Sequence, residues 1–101
     1  MAIDAELADK QNEVVIKISG RFDFNQVQAF RDAYKNNLNH RGKFIIDMRE
    51  VDYMDSSGLG MLLNMRKSIS GDINKIKIIN CRPQLKKILL ISRFDKKFII
   101  E

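Results

Sequence analysis

The chain has 101 residues, a formal net charge of +5, 45% hydrophobic residues, one cysteine and one histidine. That length fits a single small domain spanning 1–101, and the hydrophobic share supports a packed core rather than bulk disorder. Cys81 alone excludes an internal disulfide, and His40 alone leaves no material for a His-based zinc cluster or a Ser–His pair.

The N-terminal stretch MAIDAELADK is acidic and mixed, unlike a signal peptide, and no segment reaches the roughly 20 apolar residues that span a bilayer. The expected setting is the reducing cytoplasm, without membrane insertion. Ile3, Ala5 and Leu7 alternate with polar neighbours as a weak strand, Lys10–Glu13 is turn-like, and Val14, Val15, Ile16 and Ile18 form a β-branched strand ending at Ser19-Gly20. Asp23 or Asn25 can cap a helix whose apolar stripe is Val27, Phe30, Tyr34 and Leu38, with Asn39–Gly42 as its stop.

Phe44-Ile45-Ile46 with Met48 predicts a short buried strand, continued by the charged Asp47–Asp52. A second helix runs from Ser56 or Ser57 to about Ser70, stopped by Gly71-Asp72. Lys75–Asn80 alternates as a strand, with Cys81 as a bland thiol at its end. Pro83 suits the first position of a third helix, because its missing N–H would be unpaired there anyway. Leu85, Ile88, Leu89 and Ser92 follow at helical spacing, and Phe98-Ile99-Ile100 closes as a last strand. The order ββαβαβα(β) predicts an α/β fold: a mixed, mostly parallel sheet with helices packed on it. Loops at the strand C-terminal ends are where such sheets carry function.

One of those loops is VDYMDSSGLG, residues 51–60. Asp55 or Ser56 can serve as N-cap. Gly58 and Gly60 in a first turn cost roughly 1 kcal/mol each relative to alanine; they permit a close approach or a tight bend, or are tolerated in a capped helix. No GxSxG elbow or GxxxxGK[ST] cradle is present. A passive anion site at the helix start, or a serine displayed for phosphorylation, remains open. At about 100° per residue, Leu59, Met61, Leu62, Leu63, Met65 and Ile69 cover an arc of roughly 200°, wider than the ~100° needed to lie on a sheet. Either neighbours bury this helix deeply, or apolar surface stays open beside Ser56 with Met61 and Met65 at its edge.

These residues resemble a known family. MDSSGLG behind FIIDMREVDY, together with Ser19-Gly20-Arg21-Phe22-Asp23, is similar to the STAS-domain anti-sigma factor antagonists of bacteria, in element order over nearly the whole chain. The resemblance implies partner switching. An unmodified domain of this family binds a GHKL-type serine kinase that acts as an anti-sigma factor. The kinase phosphorylates the serine after the motif's Asp, here Ser56 with Ser57 as runner-up, and so releases the domain. A PPM-type phosphatase restores binding. The expected partner-binding residues are Asp23, Asp55, Ser57, Gly58 and Leu59, with Met61, Leu62 and Met65 from the apolar arc. No catalytic residue, metal ligand or cofactor is expected, so the chain reads as a regulator and not an enzyme. The output could be a sigma factor or another process such as biofilm formation.

The charge is lopsided. Residues 1–50 hold eight basic and eight acidic residues, whereas 51–101 hold ten and five. A basic nucleic-acid-binding domain is therefore one alternative, although no RNP-like or zinc-finger motif accompanies the charge and no direct nucleic-acid contact is expected. A STAS subunit of a lipid-trafficking or transport complex is another. The Asp47, Asp52 and Asp55 carboxylates could in principle hold Mg²⁺, but fit a solvated turn and a cap better.

Overall fold

The computed structural model describes residues 3–8, 13–36, 43–69 and 75–101. His40, Leu38, the expected stops at Asn39–Gly42 and Gly71-Asp72, and most of the Lys10–Glu13 turn lie outside them. The strands are β1 (Ile3–Ala8), β2 (Glu13–Phe22), β3 (Lys43–Met54), β4 (Ile76–Ile79) and β5 (Ile99–Ile100); the helices are α1 (Val27–Lys35), α2 (Ser56–Ile69) and α3 (Pro83–Ile91). Short 3₁₀ turns at Phe24–Gln26 and Phe94–Lys96 precede α1 and β5. This is the expected ββαβαβαβ order.

The sheet runs β1-β2-β3-β4-β5 in sequence order. β1 is antiparallel to β2, and β2 to β5 are parallel. A monotonic parallel order with right-handed crossovers places every connecting helix on the same face. The core agrees, because Phe30, Tyr34, Leu62, Met65, Leu85 and Leu89 from the three helices join Val14, Ile16, Ile18, Phe44, Ile46, Ile76 and Ile78 in one cluster. Each fully buried side chain of this size contributes roughly 1.5–3 kcal/mol relative to exposure. The edge-to-face contact of Phe30 with Phe22 (5.0 Å) ties α1 to the end of β2, and a second one within α1 joins Phe30 to Tyr34 (5.5 Å). Among the described residues no helix is long and apolar enough to cross a membrane.

β3 is longer than its apolar run suggests: 12 residues, ending at Met54. Its pairing with β2 shifts twice, between Lys17 and Ser19 and between Gly20 and Arg21, and each shift leaves one extra residue on β3. The bulges convert a two-residue alternation into a three-residue one. Met48, Val51 and Met54 therefore reach the core while Arg49, Glu50, Asp52 and Tyr53 stay exposed. Gly20 serves the same irregularity with φ 80°, a backbone state that other residues rarely adopt.

α3 starts as expected, with Pro83 in its first turn after an extended Arg82. Its stripe is narrower than the spacing implies. Leu85 and Leu89 are buried, but Ile88 is exposed together with Leu90, Ile91 and Ser92. Beyond α3 the stacked pair Phe94–Phe98 (5.4 Å) is buried in the core.

Candidate functional site

The β2–β3 ladder ends at the rung Phe22–Met54, so the two loops that follow leave the sheet side by side. The first is closed by a capping box. Asp23 Oδ1 accepts from Asn25 N (3.0 Å), Gln26 N donates to the Asp23 carbonyl (3.0 Å), and Asp23 N donates to Gln26 Oε1 (3.0 Å). Asp23 and Gln26 are the buried polar side chains of the described core. Asp23 Oδ2 meets Arg21 Nε at 3.2 Å, so both carboxylate oxygens are engaged.

The second loop is a single residue. Asp55 is the N-cap of α2: its Oδ1 accepts from Ser57 N (2.9 Å) and Gly58 N (3.2 Å). Its carbonyl accepts from Gly58 N (3.0 Å) and Leu59 N (3.3 Å). A passive anion site at this helix start therefore loses the Ser57 and Gly58 donors, because Asp55 already occupies them. Ser56 is the first helical residue and is exposed, whereas Ser57 is half-buried. Burial thus separates two hydroxyls that charge and spacing could not.

The two glycines behave differently. A Cβ on Gly58 would meet Met54 Cγ at 2.6 Å, the Phe22 carbonyl oxygen at 2.8 Å and Phe22 Cδ2 at 3.0 Å. The first turn of α2 can sit on the strand ends only because Gly58 has no side chain. A Cβ on Gly60 would meet nothing within 4 Å.

The apolar arc of α2 resolves against an open Met edge. Met61, Leu62 and Met65 are buried, at 6%, 0% and 0% exposure, and cannot form a partner surface as they stand. The arc is wide because α2 packs on two neighbours. Its inner side lies on the sheet, and Met61 faces α1 across a small crevice lined by Val27, Phe30, Arg31, Tyr34 and Asn64. Leu59 and Leu63 are the half-buried apolar residues at the other edge.

The exposed apolar groups at this corner are aromatic and come from the 3₁₀ turn after β2 and from the end of β3. Phe24 is 70% exposed and Tyr53 40%. The Arg21 guanidinium lies 3.9 Å over the Tyr53 ring. Sequence reasoning passed over all three. For Arg21 and Tyr53 the signal was the pairing of a bulged β3 with β2, which sets the two opposite each other.

Other candidates stand apart. Asp47 Oδ1 accepts from Arg49 N (3.0 Å) and Asn80 Nδ2 (3.1 Å), and Asp55 is in its cap. Among the described residues no group of three metal-ligating side chains comes together. Burial pushes the Cys81 thiol up to about 11, against a smaller opposing pull from Lys86.

Residues 5–101 match the family model described as "Mlab, STAS domain". A STAS-domain containing protein of Pseudomonas aeruginosa is 43% identical over 100 residues, which is 99% of each chain. The anti-sigma-B factor antagonist of Bacillus subtilis is 23% identical over 92 residues, covering 91% of this chain and 84% of that protein. Among solved structures, the anti-sigma factor antagonist SpoIIAA in its unphosphorylated form shares the fold with a TM-score of 0.75 at 20% identity, covering 99% of this chain and 87% of that one. The phosphorylated form of Bacillus SpoIIAA gives 0.73 at 20% identity, covering 99% and 91%.

Proposed function

The chain belongs to the STAS-domain family, with anti-sigma factor antagonists among its relatives, and from that premise we propose that it is a partner-switching regulator controlled by phosphate on Ser56. The unmodified chain binds a GHKL-type serine kinase acting as an anti-sigma factor. The kinase transfers the ATP γ-phosphoryl group to the Ser56 hydroxyl and the complex separates. A PPM-type phosphatase removes the group. The chain is a substrate and a ligand in this cycle rather than an enzyme, and works in the cytoplasm.

The observation that carries this reading is the placement of Ser56. It is exposed at the first position of α2, immediately after a cap that Asp55 completes without it. Phosphate adds roughly −1.5 to −2 charge at pH 7. Here it would arrive on a junction clamped by Gly58 against Phe22, where the scaffold has no reason to rearrange. The added charge falls next to Asp55 on an exposed helix start and disfavours a docked protein surface through repulsion and desolvation.

Incubation with the cognate kinase and ATP, followed by mass spectrometry of the 52–66 peptide, tests the reading. One phosphate on Ser56, lost in Ser56→Ala and kept in Ser57→Ala, is the expected result. An unmodified peptide contradicts it.

A further inference from the structure

α3 is apolar on two sides. Leu85 and Leu89 anchor it to the core, yet Ile88, Leu90 and Ile91 stand 36%, 45% and 71% exposed. These are three of the five large apolar side chains that the described residues leave open, gathered on one helix of nine residues. At about 100° per residue, Lys87 points directly away from the buried Leu85–Leu89 edge, with Leu90 on one side of it and Ile91 on the other. The outward face therefore carries an ammonium between two uncovered aliphatic groups.

Positive charge gathers on the same element. Residues 82–97 hold six cations, Arg82, Lys86, Lys87, Arg93, Lys96 and Lys97, against the single acid Asp95. The described ion pairs, Arg21–Asp23 and Lys77–Glu101, use none of the six. The end of α3 is held in place: Ser92 N donates to the Ile88 carbonyl and Arg93 N to the Leu90 carbonyl, both at 3.0 Å. The exposed Lys96 and Lys97 follow between Phe94 and Phe98, whose rings are buried in the core. Arg93 takes φ 60°, so its backbone is tied to the end of the exposed face in a state that glycine adopts more readily.

The chemistry of this face selects among partners. A second copy docked through α3 would bring like charges together. A nucleic acid would use the cations but not Leu90 and Ile91, and Phe94 and Phe98 are buried and cannot stack on bases. A dry protein interface is depleted of lysine at its centre, where Lys87 stands. An anionic lipid surface accepts both features. Aliphatic tips enter the boundary between headgroups and acyl chains, the lysine stem lies along it, and the ammonium stays among the phosphates. A fluid surface also needs no matching groove, which suits a convex helix.

We propose that the outward face of α3 docks on anionic lipid headgroups, holding the domain reversibly on a membrane surface through Leu90 and Ile91 with Lys87 and Arg93 beside them. The association is interfacial, since no described helix is long and apolar enough to cross a membrane. It is independent of Ser56 and of any phosphate there.

The test is co-sedimentation of the full, unmodified chain with two kinds of vesicle: phosphatidylcholine alone, and equimolar phosphatidylcholine and phosphatidylglycerol. The chain should partition onto the anionic vesicles at low salt, not onto the neutral ones, and should come off as salt rises. Each cation at such a surface is worth about fivefold in affinity, so Lys87→Gln with Arg93→Gly should weaken binding by roughly 25-fold. Glycine keeps the backbone state at position 93. Leu90→Ser with Ile91→Ser should weaken it by at least about tenfold. Arg31→Gln with Lys35→Gln, exposed on α1, removes the same two charges elsewhere and should change binding by no more than about twofold. Urea midpoints confirm that each pair folds. No partition onto the anionic vesicles at low salt, no effect of the Leu90 and Ile91 pair, or an equal loss in the α1 pair would overturn the proposal. Saturable binding of poly-glutamate without vesicle partition would overturn it too, in favour of an acidic protein. Kinase binding is absent from this experiment, so its result and that of the Ser56 switch are read apart.

Discussion

The carbonyl oxygen of Phe22 lies 2.8 Å from the point where a Cβ on Gly58 would stand. A backbone atom held in a sheet cannot step aside as a side-chain end can. Gly58→Ala should therefore destabilise the fold by about 1–3 kcal/mol, the usual range for overpacking. Gly60→Ala has open space around it and should stabilise by about 0.5–1 kcal/mol, because glycine is the poorer helix former. Urea unfolding midpoints measure both. Opposite signs from two glycines in one helical turn are the expected outcome, and equal effects would refute the packing at Gly58.

Asp55 fixes where α2 begins and therefore where Ser56 is displayed. Asp55→Ala should cost about 1 kcal/mol through loss of the cap, while Asp55→Asn should cost little, since the two residues cap about equally well. The same denaturation series reads this. Phosphorylation rate should follow the cap, falling in Asp55→Ala more than in Asp55→Asn.

Burial divides the apolar residues near the site into two classes. Met65 is fully buried, so Met65→Ala should lose about 2–5 kcal/mol of stability. Phe24 is 70% exposed, so Phe24→Ala should change stability within about 0.5 kcal/mol. As an exposed aromatic in the turn after β2, Phe24 should instead contribute to docking of the proposed kinase, with a loss above about 1 kcal/mol by calorimetry. Unchanged affinity in Phe24→Ala would remove it from the docking surface.

The Cys81 thiol, pushed up to about 11 by burial, is protonated at neutral pH and should react slowly with iodoacetamide in the native state. Unfolded, the same group titrates near its ordinary 9.0. The folded state therefore holds the proton more tightly. The resulting stability is intact below pH 9 and is lost as pH rises from 9 through about 11. Cys81→Ala should flatten that part of the pH–stability curve.

Most of the fold was legible because each element carried its own signal. Val14, Ile16 and Ile18 alternate, Pro83 sits where a helix begins, and the capping potential of Asp23 and Asp55 is realised in both loops. What the sequence hid was tertiary. The two bulges on β3 move the core set to Met48, Val51 and Met54, a three-residue spacing that departs from a strand's alternation and imitates a helix. The same bulges pair Arg21 with Tyr53, so the exposed corner of the site could not be read from either strand alone. The breadth of the α2 arc gave correct information about amount but not about direction. It signalled a second packing neighbour, α1, rather than an open edge at Met61 and Met65.

Titration calorimetry of the cognate kinase against four forms of the chain tests the switch most directly: unmodified, phosphorylated on Ser56, Ser56→Ala and Ser56→Glu. Ser56→Ala should bind like the unmodified chain. The phosphorylated form should bind at least about tenfold more weakly, equivalent to about 1.4 kcal/mol. Ser56→Glu should fall between, because a carboxylate carries less charge than a phosphate. Indistinguishable affinity of the unmodified and phosphorylated forms would contradict charge-controlled docking at Ser56.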